Sequence, residues 1–181
     1  MANTVEPLDV NPRLVHSVGM IAIQWARIEF TFQKILIAII DADGAAGLML
    51  TSNLGNRTIS DFVKTYASEI KSSEATEDYG SELTLLANEF DRLLGIRNRI
   101  VHNTWPQNLS DEQAVALVVR FKGKSRVHEE VWDLDAIALL VQDIVDYLDS
   151  LTRFAVRYDL FKPMHSWEQR TTSTRKPSEP R

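Results

Sequence analysis

The residues best suited to chemistry fall within Arg92–Trp105, read as RLLGIRNRIVHNTW. Arg97, Asn98 and His102 bring together a cation, an amide and an imidazole within six positions. An imidazole gives and takes protons, and a guanidinium holds an anion through several hydrogen bonds at once. Upstream, Leu83, Leu86, Phe90 and Leu93 step by three and four residues, and Arg97 and Ile100 continue the steps. That spacing lines one face of a helix and buries it. Arg97 thus occupies a position that asks for an apolar side chain. A guanidinium there needs a carboxylate, a phosphate or a subunit boundary. On a regular helix, side chains five apart point about 140° away from one another. Either the helix therefore ends at this stretch, or Arg97 and His102 of different subunits complete one site.

The elements that must hold these residues are mainly helical. Asn11 and Pro12 read as an N-cap followed by proline at the first helical position, opening a helix to about Ile40. Val18, Ile21, Trp25, Ile28, Phe32, Ile35 and Ile39 form a packing seam along it. A second stripe of Ile23, Phe30 and Ile37 exceeds what one core requires and predicts cover by a partner subunit. The glycines and aspartates of Asp41–Gly47 end the helix, and Leu48–Asn56 reads as loop. Thr58–Asp61 resembles a capping box for a second, shorter helix with Ile59, Phe62, Val63, Tyr66 and Ile70 on its apolar face. After a polar connection at residues 72–78, a third helix spans about Tyr79 to Val101. Gly95 lies inside it, where close approach of another helix or a ligand would account for it.

Beyond Pro106 the period changes. Ala114–Lys122, a turn at Gly123–Lys124 and Ser125–Trp132 predict a β-hairpin. Asp133 then caps a fourth helix whose apolar face runs from Ile137 through Ile144, Leu151 and Phe154 to Tyr158, with Asp143, Asp146 and Asp149 on the polar side. The prediction is one mainly α domain over residues 12–161: a four-helix bundle with a hairpin at about 114–132 before the last helix. Residues 1–11 read as a flexible lead. Residues 162–181, with five Lys/Arg against two glutamates, read as a disordered polar tail able to contact an acidic partner.

Composition excludes several function classes. The 181 residues carry no cysteine, so disulfides, thiolate metal sites and cysteine nucleophiles are ruled out. The most apolar stretch, Ile21–Ile40, contains Gln24, Arg27, Glu29, Gln33 and Lys34, and the N-terminal residues have no signal-peptide pattern, so no membrane segment and a cytoplasmic location are expected. A net charge of −5 opposes bulk coating of nucleic acid, while a small, focused RNA site remains compatible with it. His128 beside Glu129 and Glu130 has no second histidine at ligand spacing, so no metal site is predicted.

Helices ending in Arg97-Asn98, three residues and His102 resemble the HEPN family (higher eukaryote and prokaryote nucleotide-binding domains), α-helical bundles marked by an Arg, four to six residues, then His. The polar residue directly after the Arg is also typical. The resemblance covers roughly residues 12–160, with the hairpin as an embellishment. It implies metal-independent RNA cleavage, without a cofactor, by a homodimer whose two motifs meet across the interface, in defence or toxin–antitoxin biology. RNA carries its own nucleophile, the 2′-hydroxyl, so the enzyme must move protons and hold the charge that builds on the phosphate. His102 is then the general acid/base, Arg97 the phosphate clamp and Asn98 a hydrogen-bonding positioner, with Glu29 and Arg99 as possible supports behind them. The products would carry a 2′,3′-cyclic phosphate.

Two other readings accompany this one. Many HEPN domains are non-catalytic modules that bind a nucleotide or a protein. Some are toxins silenced by antitoxins that modify a tyrosine two residues past the His, a position held here by Thr104. In structural terms, Arg97 could pair with Glu29 or with an aspartate of the fourth helix. His102 could serve as a C-terminal helix cap, and Trp25 and Trp105 read as core anchors.

Overall fold

A computed structural model describes residues 10–70, 77–108, 110–122 and 124–161. Among them are five helices and a small antiparallel sheet: α1 Pro12–Ile39, α2 Gly44–Thr51, α3 Asn56–Ile70, α4 Glu77–Val101, β1 Thr104–Asn108, β2 Gln113–Lys122, β3 Lys124–Asp133 and α5 Leu134–Arg157. The chain is a mainly α bundle with the sheet placed before the last helix. Residues 1–9 of the expected 1–11 lead, the tail at 162–181, most of the connection at 72–78 and Gly123 of the hairpin turn lie outside the described residues.

α1 begins as its sequence requires. The Asn11 side chain accepts a hydrogen bond from the Arg13 N–H at 2.9 Å, and Pro12 occupies the first turn. Ile21, Trp25, Ile28, Phe32 and Ile35 along the predicted seam are buried, chiefly against α5, whose Ile137, Ile144, Leu151 and Phe154 face them within one core. α4 joins this core through Leu83, Leu86, Phe90 and Leu93, and Phe90 stacks on Phe32 at 4.3 Å between ring centres. Asp133 caps α5 by accepting from the Asp135 N–H at 2.8 Å. Asp41 and Asp159 adopt left-handed backbone just past α1 and α5, a conformation that stops a helix.

Several expectations are corrected. The stretch read as loop contains α2, capped by the Asp43 side chain on the Ala45 N–H. α2 covers the end of the second stripe on α1: Ile37 is 6% exposed, while Ile23 at 61% and Phe30 at 44% remain open. The stripe is thus partly covered within the chain rather than left whole for a partner. α3 starts at Asn56, so Thr58 lies inside it and is no cap. Its buried positions are Ile59, Ser60, Val63 and Ala67, and Phe62 is 54% exposed because it projects about 100° away from that line. The predicted hairpin is present, with Val115 opposite Val131 and Val118 opposite His128. It gains a third strand, β1, in the order β1-β2-β3. Gly95 is not explained by a close neighbour, since a Cβ added there would meet nothing within 4 Å.

Candidate functional site

Arg97, Asn98 and His102 come together at the C-terminal end of α4. The helix stops at Val101, which satisfies the first of the two geometries the sequence allows. The His102 N–H still donates to the Asn98 carbonyl at 3.2 Å, and the chain then bends away. The long Arg97 side chain spans the remaining angle. Its Nη1 lies 3.0 Å from Asn98 Oδ1 and 2.9 Å from His102 Nε2, so the pair meets within one chain. A guanidinium only donates, which makes Nε2 the acceptor and puts the ring proton on Nδ1. In this contact the Nε2 lone pair of His102 is directed at a cation.

The surroundings of Arg97 differ from those of the other arginines in ion pairs. Arg57 and Lys64 meet Asp91, Arg92 meets Glu89 and Asp143, Arg99 meets Glu130, and Arg157 meets Glu82. Among the described residues, no carboxylate lies within ion-pair distance of Arg97, which instead contacts an amide and an imidazole. Its Nε is buried without a partner among the described residues, as is Nδ2 of Asn103 beside His102. Asn98 and His102 are exposed, and Arg97 is half-buried.

The supports expected behind the motif are engaged elsewhere. Glu29 accepts from Trp25 Nε1 at 2.6 Å and from Asn56 Nδ2 at 2.5 Å, joining α1 to the start of α3. Arg99 binds Glu130 at 2.6 Å and lies 5.1 Å from the Trp132 ring centre, which ties the end of α4 to β3. No hydrogen bond among the described residues links either of them to Arg97. The ion pair of Arg97 with Glu29 or with an aspartate of α5 is likewise not formed. Trp25 is fully buried, as expected of a core anchor. Trp105 is half-buried and donates from Nε1 to the Ile100 carbonyl at 3.0 Å.

Three residues near the motif were not anticipated in their parts. Asn103 contributes a second unpaired donor, and neither its type nor its place distinguishes it in the sequence. Glu130 and Trp132, the partners of Arg99, share one face of β3, and their two-residue spacing in the hairpin was the available signal. Among the described residues, no group of three His, Asp or Glu side chains could hold a metal ion, and no helix is long and apolar enough to cross a membrane. A groove of about 400 Å³ between α4 and α5 is lined by Glu82, Glu89, Arg92, Asp143 and Asp146 and does not include the motif. The chain matches no protein-family model, no curated protein and no solved structure with which it was compared.

Proposed function

We propose that this chain is a HEPN-type, metal-independent endoribonuclease that acts as a homodimer, with Arg97, Asn98 and His102 at its site. One observation carries the reading: an arginine with no carboxylate partner among the described residues rests its Nη1 on the accepting Nε2 of an exposed histidine. Donors short of an acceptor favour an anion. A phosphodiester oxygen arriving at the guanidinium competes for Nη1 and releases the His102 lone pair.

In the proposed reaction, Nε2 takes the proton of the RNA 2′-hydroxyl as O2′ bonds to phosphorus. Arg97 holds the charge on the non-bridging oxygens while the P–O5′ bond breaks. The O5′ leaving group takes up a proton from water and His102 returns its own to the solvent, so the products are a 2′,3′-cyclic phosphate and a 5′-hydroxyl. Asn98 Oδ1 steadies the guanidinium. Gly95, Asn98 and His102 follow one another at three- and four-residue steps, and the space at Gly95 is open to an incoming strand. The exposed Ile23 and Phe30 support a second copy as partner. A role in defence or toxin–antitoxin biology, with an antitoxin or other regulatory protein, rests on the resemblance alone.

A non-catalytic HEPN-like module binding a nucleotide or a protein is the alternative; the net charge of −5 and the acidic α4/α5 groove favour its protein-binding form. Incubating the purified protein with a mixed RNA pool in EDTA separates the two, with Arg97→Ala and His102→Ala compared at equal folding and oligomeric state. Cleavage by wild type alone, leaving cyclic-phosphate ends, supports the enzyme. Intact RNA in all three samples, under conditions where the wild type binds nucleotide or protein, supports the module.

A further inference from the structure

The Arg97–His102 contact depends on where α4 stops, and the residue that stops it is outside the motif. In a continuing helix the Ile100 carbonyl would accept from the N–H of residue 104. Thr104 instead opens β1, opposite Leu117. The indole of Trp105 takes the vacant place, donating to Ile100 O at 3.0 Å. A terminal carbonyl of the helix is thus satisfied by a side chain from the following strand.

β1 is shaped to aim that indole. Thr104 faces Leu117 whereas Gln107 faces Val115, so three steps along β1 match two along β2. Such a bulge redirects side chains, and Pro106 within it has no N–H to lend to a ladder. The ring is also packed against the core. It meets the Trp132 ring edge-on, with centres 6.4 Å apart, and it shares an apolar groove with Val10, Leu14, Val15, Val18 and Gly19 at the start of α1. Only Asn103 and Thr104 separate this anchor from His102, whose own N–H is tied back to Asn98 O. His102 is therefore fixed by the helix on one side and by the indole on the other.

We infer that Trp105 is a positioning residue that terminates α4 and thereby sets His102 Nε2 against Arg97. As a statement about catalysis this rests on the ribonuclease reading, but the geometry it claims can be tested without cleavage. The full chain carrying Trp105→Phe keeps an aromatic ring and loses the N–H. A second form with benzothienylalanine at position 105 keeps the bicycle and removes the same donor, should the Phe variant fold poorly. Nitrogen-15 spectra of the His102 ring, recorded at alkaline pH, report which nitrogen carries the proton. Wild type is expected to show the Nδ1–H form, and either variant a mixture of both tautomers. On RNA, kcat should fall about tenfold with KM unchanged, since a small misplacement of a reacting group acts on the chemical step.

Tyr147→Phe, which removes the buried hydrogen bond to Leu86 O elsewhere on α4, is the control for general loosening and should leave the His102 spectrum unchanged. A wild-type spectrum in the Trp105 variants would overturn the inference, as would the same change in Tyr147→Phe. If wild type cuts no RNA, the ring spectra still decide the positioning role while the ribonuclease reading fails separately.

Discussion

Gly47 offers a prediction whose sign can be reversed by a second substitution. It lies in α2 with its backbone in an ordinary helical conformation, so alanine is opposed there by space alone. A Cβ would sit 2.8 Å from both Cγ1 and Cγ2 of Ile37 and 3.3 Å from the Ala42 Cβ. The γ-carbons branch directly from Cβ and cannot swing aside as the tip of a long side chain would. Overpacking of this kind costs roughly 2–3 kcal/mol. Replacing a helical glycine by alanine returns about 1 kcal/mol. Gly47→Ala should therefore destabilise the fold by about 1–2 kcal/mol, a fall in Tm of about 3–6 °C for a chain of this size. In an Ile37→Val background both γ-carbons remain and the loss should persist. In an Ile37→Ala background they are gone, and Gly47→Ala should become stabilising by about 1 kcal/mol. Urea unfolding of the single and double variants measures the cycle. A neutral Gly47→Ala in the wild-type background, or the same effect in all three backgrounds, would refute the packing of α2 on α1.

The remaining predictions concern pH and the site. Burial pushes the Asp91 carboxyl up, but hydrogen bonds from Lys64 and Ser60 and the charges of Lys64 and Arg57 outweigh it and hold it below the usual carboxylate range. A lowered folded value means stability that is present above the unfolded pKa and lost as pH falls through the folded one. Asp91→Asn should flatten the acid limb of a stability–pH curve, and an unchanged limb would contradict this assignment. Burial, with the neighbouring phenols of Tyr66 and Tyr158, raises Tyr79 to about 12. Its contribution should be complete below about pH 10 and fade as pH rises toward the folded value, so Tyr79→Phe should be less sensitive to alkaline unfolding. Loss of RNA cleavage in Arg97→Ala and His102→Ala, and the altered His102 tautomer in Trp105→Phe, complete the set.

The sequence by itself determined the features written in local repeats. Three- and four-residue steps marked the buried faces of α1, α4 and α5, Asn11 and Asp133 marked two helix starts, and the β-branched runs marked β2 and β3. Spacing also singled out Arg97, Asn98 and His102, because their types and order can be read without knowing their neighbours. What it could not contain were facts about distance across the fold. α2 has too short and too uniformly apolar a pattern to announce its helix, and β1 is a five-residue strand with a proline, defined only by pairing with β2. Phe62 reads as core until α3 is rotated onto α4, and Ile37 reads as surplus until α2 lies over it. Glu29 and Arg99 are drawn to Asn56 and Glu130, residues 27 and 31 positions away. The contact of Arg97 with His102 belongs to the same class: the residues were legible, but the helix end that joins them depends on β1 and on the indole of Trp105. Such contacts are settled by competition among partners brought together only when the chain has folded, and tertiary structure alone decides that competition.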